Sequence, residues 1–456
     1  MIMKLNVQEK TEYTATRNAC KLCSPLGACF VFRGIKKSMP LLHGSQGCST
    51  YIRRYLISHF NEPVDIASSN FTEETAVFGG AANLFLAIDN IIKQYEPEFI
   101  GIATTCLSET IGDDVPLILR KYSNKCTKSP VIVSVSTPSY SETHIKGFHD
   151  SVKAVVSAVA RRDITDADHI NIFPGMLSPA DFRHIKEIFT DFKADYIMLP
   201  DYSETLDGPC WSHYQKIPDG GTSIKDIENM GSSLASIEFG KILAEDKSAG
   251  KLLEEQFKVP CYSLGIPIGI NETDAFFSAL KDITQKPVPK KYIKERARLI
   301  DAYADGHKYV FEKRAVVYGE EDLVVGLCSF LTEIGVIPVV CASGGKSGNL
   351  RKKLVEILPH SQLADIKIIE GADFIEIGKQ AKEMDPDFLI GNSKGYKIAR
   401  ELKKPLIRAG FPIHDRLGGA RILHVGYKGA QQLFDAVSNT IIASAQDSSN
   451  VGYMYM

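Results

Sequence analysis

Short apolar runs alternate with amphipathic segments from about residue 30 onward, and this alternation constrains the fold more than any other feature of the chain. Short apolar runs are typical of buried strands, whereas the segments between them have the 3.6-residue period of helices. This order indicates βαβ units, in which helices cover both faces of a parallel sheet. The alternation falls into three sets and predicts an α/β protein with domains at 1–165, 166–300 and 301–456.

The individual elements can be placed from the same pattern. The predicted strands are 99–104, 130–135, 170–175, 196–200, 315–319, 337–342, 366–369, 387–391 and 405–408. The predicted helices are 79–95, 145–161, 179–191, 321–334, 347–357, 394–403 and 430–444, with a helical connector at 285–313. Residues 1–19 are polar and aperiodic, so we expect an N-terminal arm there.

Composition excludes several classes of function. A chain of 456 residues with 44% hydrophobic and 24% charged residues is long enough for about three globular domains. The net charge of −2 gives no reason to expect a nucleic acid or an anionic membrane as a partner. The charged N-terminus does not resemble a signal peptide, and no run approaches the ~20 apolar residues of a membrane span. We therefore expect a cytoplasmic protein.

Three of the ten cysteines lie in glycine- or proline-containing contexts beside apolar segments. These are Cys23-Ser-Pro-Leu-Gly, His43-Gly-Ser-Gln-Gly-Cys48 and Thr104-Thr-Cys106-Leu-Ser. Cys48 precedes an amphipathic segment with Ser49 as candidate N-cap, and Cys106 follows a predicted strand. Turns at a helix N-terminus or a strand end present thiolates to metals, and the helix dipole favours an anionic ligand. This pattern predicts an iron–sulfur cluster, although any one of the three could instead be a packed cysteine.

The remaining cysteines carry weaker signals. Cys20 and Cys23 form a CxxC, but no second pair follows at zinc spacing, so we expect Cys20 and Cys29 to be structural. Three others lie in apolar patterns and are expected in the core: Cys261, Cys328 and Cys341. Cys126 and Cys210 lie in polar or turn-like surroundings.

Two further motifs have an ordinary structural interpretation. Gly-Gly-Lys-Ser at 344–347 resembles the end of a phosphate-binding loop, but Val340 stands where that motif requires glycine. A loop between a strand and a helix is expected instead. Asp301 and Asp305 are four residues apart on one predicted helix face, which indicates a solvated face or half of a hard-cation site.

Together these segments resemble the β-type subunits of the nitrogenase component 1 family. The resemblance covers nearly the whole chain and rests on the contexts of Cys23, Cys48 and Cys106, on 72–80, on Asp201-Tyr-Ser-Glu-Thr-Leu-Asp-Gly and on Arg408-Ala-Gly-Phe-Pro. It implies three Rossmann-like domains, in agreement with the three α/β sets.

The resemblance also implies roles for particular residues. In catalytic β-type subunits, cysteines matching Cys23, Cys48 and Cys106 hold half of an eight-iron cluster at the interface with the α-type subunit. Ser139 matches a serine that adds an oxygen ligand when that cluster is oxidised. Phe78 matches a phenylalanine beneath the docking site of the reductase. Glu62, Asp301 and Asp305 match the carboxylates of a separate metal site between β-type subunits.

The implied assembly is an α2β2 heterotetramer with an α-type partner, served by an iron protein that hydrolyses ATP. Two kinds of subunit share these motifs: the catalytic β-type subunit and the β-like half of the scaffold that matures the iron–molybdenum cofactor. Met39-Pro-Leu-Leu-His and the Asp201 and Arg408 motifs favour the scaffold, our first expectation. The full set of three cysteines and Ser139 favours an eight-iron cluster over a four-iron one, and hence the catalytic alternative.

Overall fold

In the described part of the chain, thirteen strands form three separate sheets, and every strand pairing in them is parallel. The computed structural model describes residues 20–124, 130–140, 143–162, 168–359 and 363–449. The expected α/β class with helix-covered parallel sheets is therefore confirmed. The N-terminal arm and Cys126 lie outside the described residues.

The sheets follow one another along the chain. The first has the order β2-β1-β3-β4, with β1 Ser38–His43, β2 Ala67–Ser68, β3 Phe99–Thr104 and β4 Val131–Val135. The second has the order β6-β5-β7-β8, with β5 His169–Phe173, β6 Asp195–Met198, β7 Ala235–Phe239 and β8 Cys261–Leu264. The third has the order β11-β10-β9-β12-β13, with β9 Arg314–Gly319, β10 Ile337–Ser343, β11 Lys367–Glu370, β12 Phe388–Gly391 and β13 Leu406–Arg408.

Helices connect and cover these strands. In the first third of the chain they are α1 Ser24–Arg33, α2 Gln46–Phe60, α3 Glu73–Phe78, α4 Ala81–Tyr95, α5 Cys106–Ile111, α6 Val115–Ser123 and α7 His144–Val159. The middle third contains α8 Pro179–Asp191, α9 Ile224–Asn229, α10 Ala249–Phe257, α11 Gly269–Thr284 and α12 Lys290–Val310. The last third contains α13 Glu321–Glu333, α14 Leu350–Ile357, α15 Phe374–Met384, α16 Tyr396–Leu402 and α17 Gly426–Ser448. Short 3-10 turns occur at Met230–Ser232, Glu245–Lys247, Leu363–Asp365, Ser393–Gly395 and Gly419–Arg421.

The prediction missed α1, which begins where a turn was expected. All ten residues of α1 are buried, so the helix has no polar face and therefore no amphipathic period. It packs against α7 at a glycine contact: a Cβ on Gly27 would lie 1.7 Å from the backbone oxygen of His144. A Cβ on Gly147 would lie 2.0 Å from the backbone oxygen of Ser24. Gly27 therefore serves helix packing, not the approach of the backbone to a cofactor.

The segment around α1 touches all three sheets. Before the helix, the backbone N–H of Cys20 donates to the oxygen of Ala372 next to the third sheet (3.4 Å). After it, Ile35 forms an isolated parallel bridge with Thr222, beside the second sheet. The helix itself packs on β1 and β3 of the first sheet. One largely buried stretch of chain thus joins the three units.

Two predicted boundaries stay predictions. The boundary after residue 300 falls within α12, which spans Lys290–Val310, and residue 165 lies outside the described ranges. Across the part of the chain that is described, no helix is long and apolar enough to span a membrane.

Candidate functional site

Cys48 and Cys106 follow two adjacent strands of the first sheet. His43 at the end of β1 is in register with Thr104 at the end of β3. The chain leaves these strands in opposite directions, since β1 is followed by β2 on one side and β3 by β4 on the other. Ligands of open parallel sheets bind at the carboxyl ends of strands beside such a switch point. The two cysteines therefore lie where this architecture builds binding sites.

The local helices orient both thiols. The helix α2 begins at Gln46 with Ser45 as N-cap, so Cys48 lies in its first turn and the expected N-cap at Ser49 is wrong by four residues. Cys106 is the first residue of α5, a helix that the prediction missed because it has only six residues. Thr105 caps α5 through a reciprocal pair of bonds with Ser108. Both cysteines thus lie at helix N-termini, as expected.

Cys23 is the N-cap residue of α1, and Pro25 occupies the first turn of that helix. Its thiol is half-buried, as are those of Cys48 and Cys106, and all three are free. A surface of three reduced, partly accessible thiols is compatible with metal binding, because only exposed thiolates can reach a ligand outside the chain.

Ser139 links two of the cysteines. Its backbone N–H donates to the sulfur of Cys106 (3.3 Å), and its hydroxyl oxygen accepts from the backbone N–H of Ser24, next to Cys23 (3.1 Å). The preceding Thr137 is fixed to the end of β3, since its hydroxyl donates to the oxygen of Thr104 (2.6 Å). The loop after β4 therefore carries Ser139 to the place where Cys23 and Cys106 meet.

Electrostatics connect all three sulfurs. Burial raises the pKa of Cys23, and the nearby Cys106 and Cys48 thiolates raise it further, whereas the hydrogen bond from Ser139 and the charge of Lys394 lower it. The sulfur of Cys23 is thus close enough to those of Cys48 and Cys106 for its ionisation to respond to their charges. We call Cys23, Cys48, Cys106 and Ser139 the cysteine face. Because burial and the neighbouring sulfurs oppose the ionisation of Cys23, a bound cation would favour its charged form.

Lys394 is a member of this environment that the sequence did not indicate. It lies in the 3-10 turn Ser393–Gly395 after β12, and its ammonium is 5.3 Å from the ring centre of Tyr55. Its charge reaches Cys23 from a segment more than three hundred residues away. No local pattern around residue 394 could have revealed that proximity.

Apolar side chains surround the cysteine face. Tyr51, whose raised pKa includes a contribution from Cys23, is 43% exposed, and Leu107 is 37% exposed. Tyr140, next to Ser139, is 64% exposed. Exposed apolar and aromatic side chains around a recessed polar centre are typical of a protein interface.

The donor set matches the group that the sequence implies. Free, half-buried thiols that sense one another's charge, together with a hydroxyl, are the ligands that an iron–sulfur cluster takes. Within the described ranges, no three His, Cys, Asp or Glu side chains are grouped to hold one metal ion, and these cysteines are no exception. A polynuclear cluster spreads its ligands over several metal atoms, so its thiolates need not meet around one centre.

Comparison of the sequence with protein families and with curated proteins identifies the family. The profile of nitrogenase component 1 type oxidoreductases matches residues 23–442. The chain belongs to this family. It is 37% identical over 438 residues to the nitrogenase molybdenum-iron protein beta chain of Clostridium pasteurianum, covering 95% of each chain. It is 35% identical to the nitrogenase vanadium-iron protein beta chain of Trichormus variabilis, covering 97% of each. The chain is thus a β-type member of the nitrogenase component 1 family.

The structural comparison agrees. A solved structure titled "Nitrogenase Cp1 at pH 6.5" superposes with a TM-score of 0.94 at 36% identity, covering 98% of each chain. The resemblance seen in the sequence is therefore confirmed.

Phe78, the position that the family resemblance connects with reductase docking, ends α3 and is 82% exposed. The preceding Val77 is 74% exposed. The end of this helix is tied to the cysteine-bearing strand ends: Asp113 accepts from the backbone N–H of Gly80 (3.0 Å) and bonds His43 Nε2 (3.0 Å). Phe78 is thus an exposed apolar side chain on a segment anchored beside β1.

The three carboxylates of the expected second metal site are not brought together within this chain. Glu62 lies near Asp207 and Gly208, and burial together with the Asp207 charge raises its pKa. Asp301 and Asp305 are exposed on α12. A site composed of all three would require a second copy of the chain, and it stays a prediction.

The other cysteines mostly follow expectation. Cys20, Cys29, Cys328 and Cys341 are buried. Cys261 is only half-buried, so its expected core position was wrong: β8, which it begins, lies at the edge of the second sheet. The Gly-Gly-Lys-Ser segment forms the loop between β10 and α14, as expected.

Proposed function

We propose that this chain is the catalytic β-type subunit of a nitrogenase or nitrogenase-like reductase, and that Cys23, Cys48 and Cys106 hold half of an iron–sulfur cluster at the interface with an α-type subunit. The observation that carries the proposal is the cysteine face: Cys23 senses the charges of Cys48 and Cys106, Ser139 bonds Cys106 and the residue after Cys23, and exposed apolar side chains lie beside them. The donors present on this chain are fewer than an eight-iron cluster needs, so the partner supplies the rest.

The catalytic role is favoured over the scaffold role that the sequence first suggested. A four-iron cluster held mainly by one cysteine of this chain would not need Cys23, Cys106 and Ser139 together. The hydrogen bonds of Ser139 instead keep a second kind of donor beside the two cysteines. Relatives named as beta chains of molybdenum-iron and vanadium-iron nitrogenases are in keeping with this choice.

The scaffold remains the second candidate. The motifs beginning at Met39 and Asp201 favour it. In that role the chain would be the β-like half of the complex that matures the iron–molybdenum cofactor. Both roles use the same cysteine face, so the cluster proposal does not depend on the choice between them.

When bound, the cluster would supply one-electron transfer between an iron protein and the cofactor of the α-type subunit. The chain's own residues hold and insulate that group. Ser139 offers a hydroxyl for an additional ligand when the cluster is oxidised, and Phe78 offers an exposed apolar contact for the ATP-dependent iron protein. The assembly would be an α2β2 heterotetramer in the cytoplasm, where the thiols stay reduced. Glu62 of one copy with Asp301 and Asp305 of another would form the metal site between β-type subunits.

Anaerobic co-purification with the α-type partner tests the cluster. We expect a brown complex with at least about four irons per αβ unit. A colourless complex with iron near zero would contradict the proposal.

Turnover separates the two roles. The complex is reduced with its iron protein and ATP and offered acetylene. Sustained reduction supports the catalytic role, whereas no reduction together with transfer of a matured cofactor to an apo-enzyme supports the scaffold.

A further inference from the structure

A cavity of about 290 Å³ lies apart from the cysteine face, where segments from all three units meet. It is lined by the first turns of α7, the loop after β7, the start of α13 and the loop between β10 and α14. These segments follow the carboxyl ends of β4, β7, β9 and β10. The position is therefore one at which parallel α/β sheets bind ligands, and the volume suits a small molecule.

Four lysines line this cavity: Lys21, Lys146, Lys247 and Lys346. Lys146 pairs with Asp150, and the Lys247 ammonium is 3.8 Å from the same carboxylate. Among the residues that the structure describes, the ammonium groups of Lys21 and Lys346 have neither a hydrogen bond nor an ion pair. Two of the lysines that line the cavity therefore have no ion-pair partner among the described residues.

The two carboxylates of the wall are already engaged. Glu321 accepts from the hydroxyl of Ser347 (2.8 Å) and from the backbone N–H of the same residue (3.3 Å). Asp322 accepts from the backbone N–H of Ile242 (3.0 Å). These bonds fix the loops that form the wall, but both carboxylates keep their negative charge. Four lysines against the carboxylates of Glu321, Asp322 and Asp150 still leave the cavity with a net positive charge.

Glycines bring the lysines into place. A Cβ on Gly344 would lie 2.2 Å from the backbone oxygen of Cys20, so only glycine allows this loop to lie against the segment that carries Lys21. A Cβ on Gly371 would lie 2.1 Å from Cε of Lys346. The stem of Lys346 therefore packs where that glycine has no side chain, which limits the positions open to its ammonium.

We propose that this cavity binds a small organic polyanion, with its carboxylate or phosphate oxygens on Lys21 and Lys346 and its carbon frame on Ile145, Ile242 and Leu243. The Gly-Gly-Lys-Ser loop takes no part in the cysteine face, and this proposal gives the loop a function in ligand binding. None of the cavity residues belongs to the cysteine face. The binding test of this site therefore does not depend on whether the proposed cluster function is correct.

Isothermal titration of the intact complex with its α-type partner tests the site. Citrate and pyrophosphate are the two probes, at low ionic strength and up to about 10 mM. We expect at least one to bind with one site per chain of this protein. Tighter binding of citrate indicates a carboxylate ligand, and tighter binding of pyrophosphate a phosphate ligand.

Variants assign the binding to the cavity. The double variant Lys21→Met/Lys346→Met should weaken binding about tenfold or more, since two charge-assisted contacts are lost. The matched control Lys352→Met removes an exposed lysine of α14 that does not line the cavity, and it should bind within about twofold of the wild type. Ala244→Trp fills the cavity from an exposed position and should abolish binding even if the double variant does not fold.

Two results would overturn the proposal. One is no binding of either probe to the wild-type complex. The other is binding to the folded double variant, or to Ala244→Trp, with the affinity of the wild type.

Discussion

The cysteine face and the lysine-lined cavity both lie at the carboxyl ends of parallel strands, yet they offer opposite chemistry. The cysteine face presents thiols at the N-terminal ends of three helices, partly open to the surface beside exposed apolar side chains. The cavity is lined by loops from three units, opens to solvent beside Ala244 and Lys346, and presents ammonium groups. In both proposals the strand ends set where a ligand binds, whereas the loops that follow set which chemistry it meets.

The largest effect should come from removing a thiol. Cys48→Ala should eliminate most of the cluster iron, because it removes one of three thiols and the nearby hydroxyl of Ser45, 4.0 Å from that sulfur, is a much weaker iron ligand than a thiolate. Iron content and the visible spectrum of the anaerobic complex measure the loss. Cys210→Ala, at an exposed cysteine of the second unit, is the control and should keep its iron. Wild-type iron content in Cys48→Ala would contradict the assignment of the cluster to the cysteine face, and with it the contrast drawn with the cavity.

The next effect should come from the helix contact that supports Cys23. Gly27→Ala places a methyl group 1.7 Å from a backbone oxygen of α7, so we expect a destabilisation of at least about 2 kcal/mol. Gly47→Ala is the matched control, since a Cβ there meets nothing within 4 Å. Chemical denaturation of both variants measures the difference. Equal stability would mean that α1 can move without cost, and that Cys23 is not rigidly held.

A smaller effect is expected at the docking segment. Phe78→Ala should reduce turnover driven by the iron protein by about tenfold, because a largely exposed aromatic side chain is a typical interface anchor. Its iron content should not change. Leu86→Ala, which removes another exposed apolar side chain on α4, should have a lesser effect. Loss of iron in Phe78→Ala would assign the residue to the cluster environment instead.

The smallest effect concerns acid stability at the C-terminal end of α2, where His59 is buried. Burial lowers the pKa of His59 to about 3, against about 6.5 in the unfolded chain. Between about pH 6.5 and pH 3, His59 therefore binds a proton in the unfolded state but not in the folded state. Stability should fall by about 2 kcal/mol between pH 7 and pH 5 from this residue alone.

His59→Asn keeps an acceptor for the backbone N–H of Ile413 and removes the titration. Denaturation curves at the two pH values should then lie closer together than in the wild type. An unchanged difference between them would show that other groups govern the acid response.

The sequence predicted most of the α/β alternation because exposed helices have a polar face. The helix expected at 179–191 was observed at Pro179–Asp191, with the apolar period and an N-terminal proline both visible. The helix α1 was not predicted, because a helix that is buried on every side lacks the 3.6-residue alternation of polar and apolar residues. The strands β1, β2, β7 and β8 were also not predicted, and length is not the reason for all of them, since β7 has five residues, as many as the predicted β5.

The candidate site divides in the same way. The cysteines were recognisable because each lies in a local context of glycine, proline or strand end. Lys394, Tyr51 and the lysines of the cavity were not, because they meet their neighbours only after the three units have packed. Contacts between segments distant in sequence depend on the topology, and they cannot be inferred from local patterns in a single sequence.

The burial of α1 has a consequence for the synthesis of the chain. This buried helix is synthesised before α7, which it packs on, and before the segments at Thr222 and Ala372 that its flanking residues contact. Until those partners are synthesised, the nascent chain exposes a hydrophobic segment that lacks its tertiary contacts. Premature termination before the third unit should therefore yield insoluble fragments, and production of the protein will depend on protection of its beginning until its end is made.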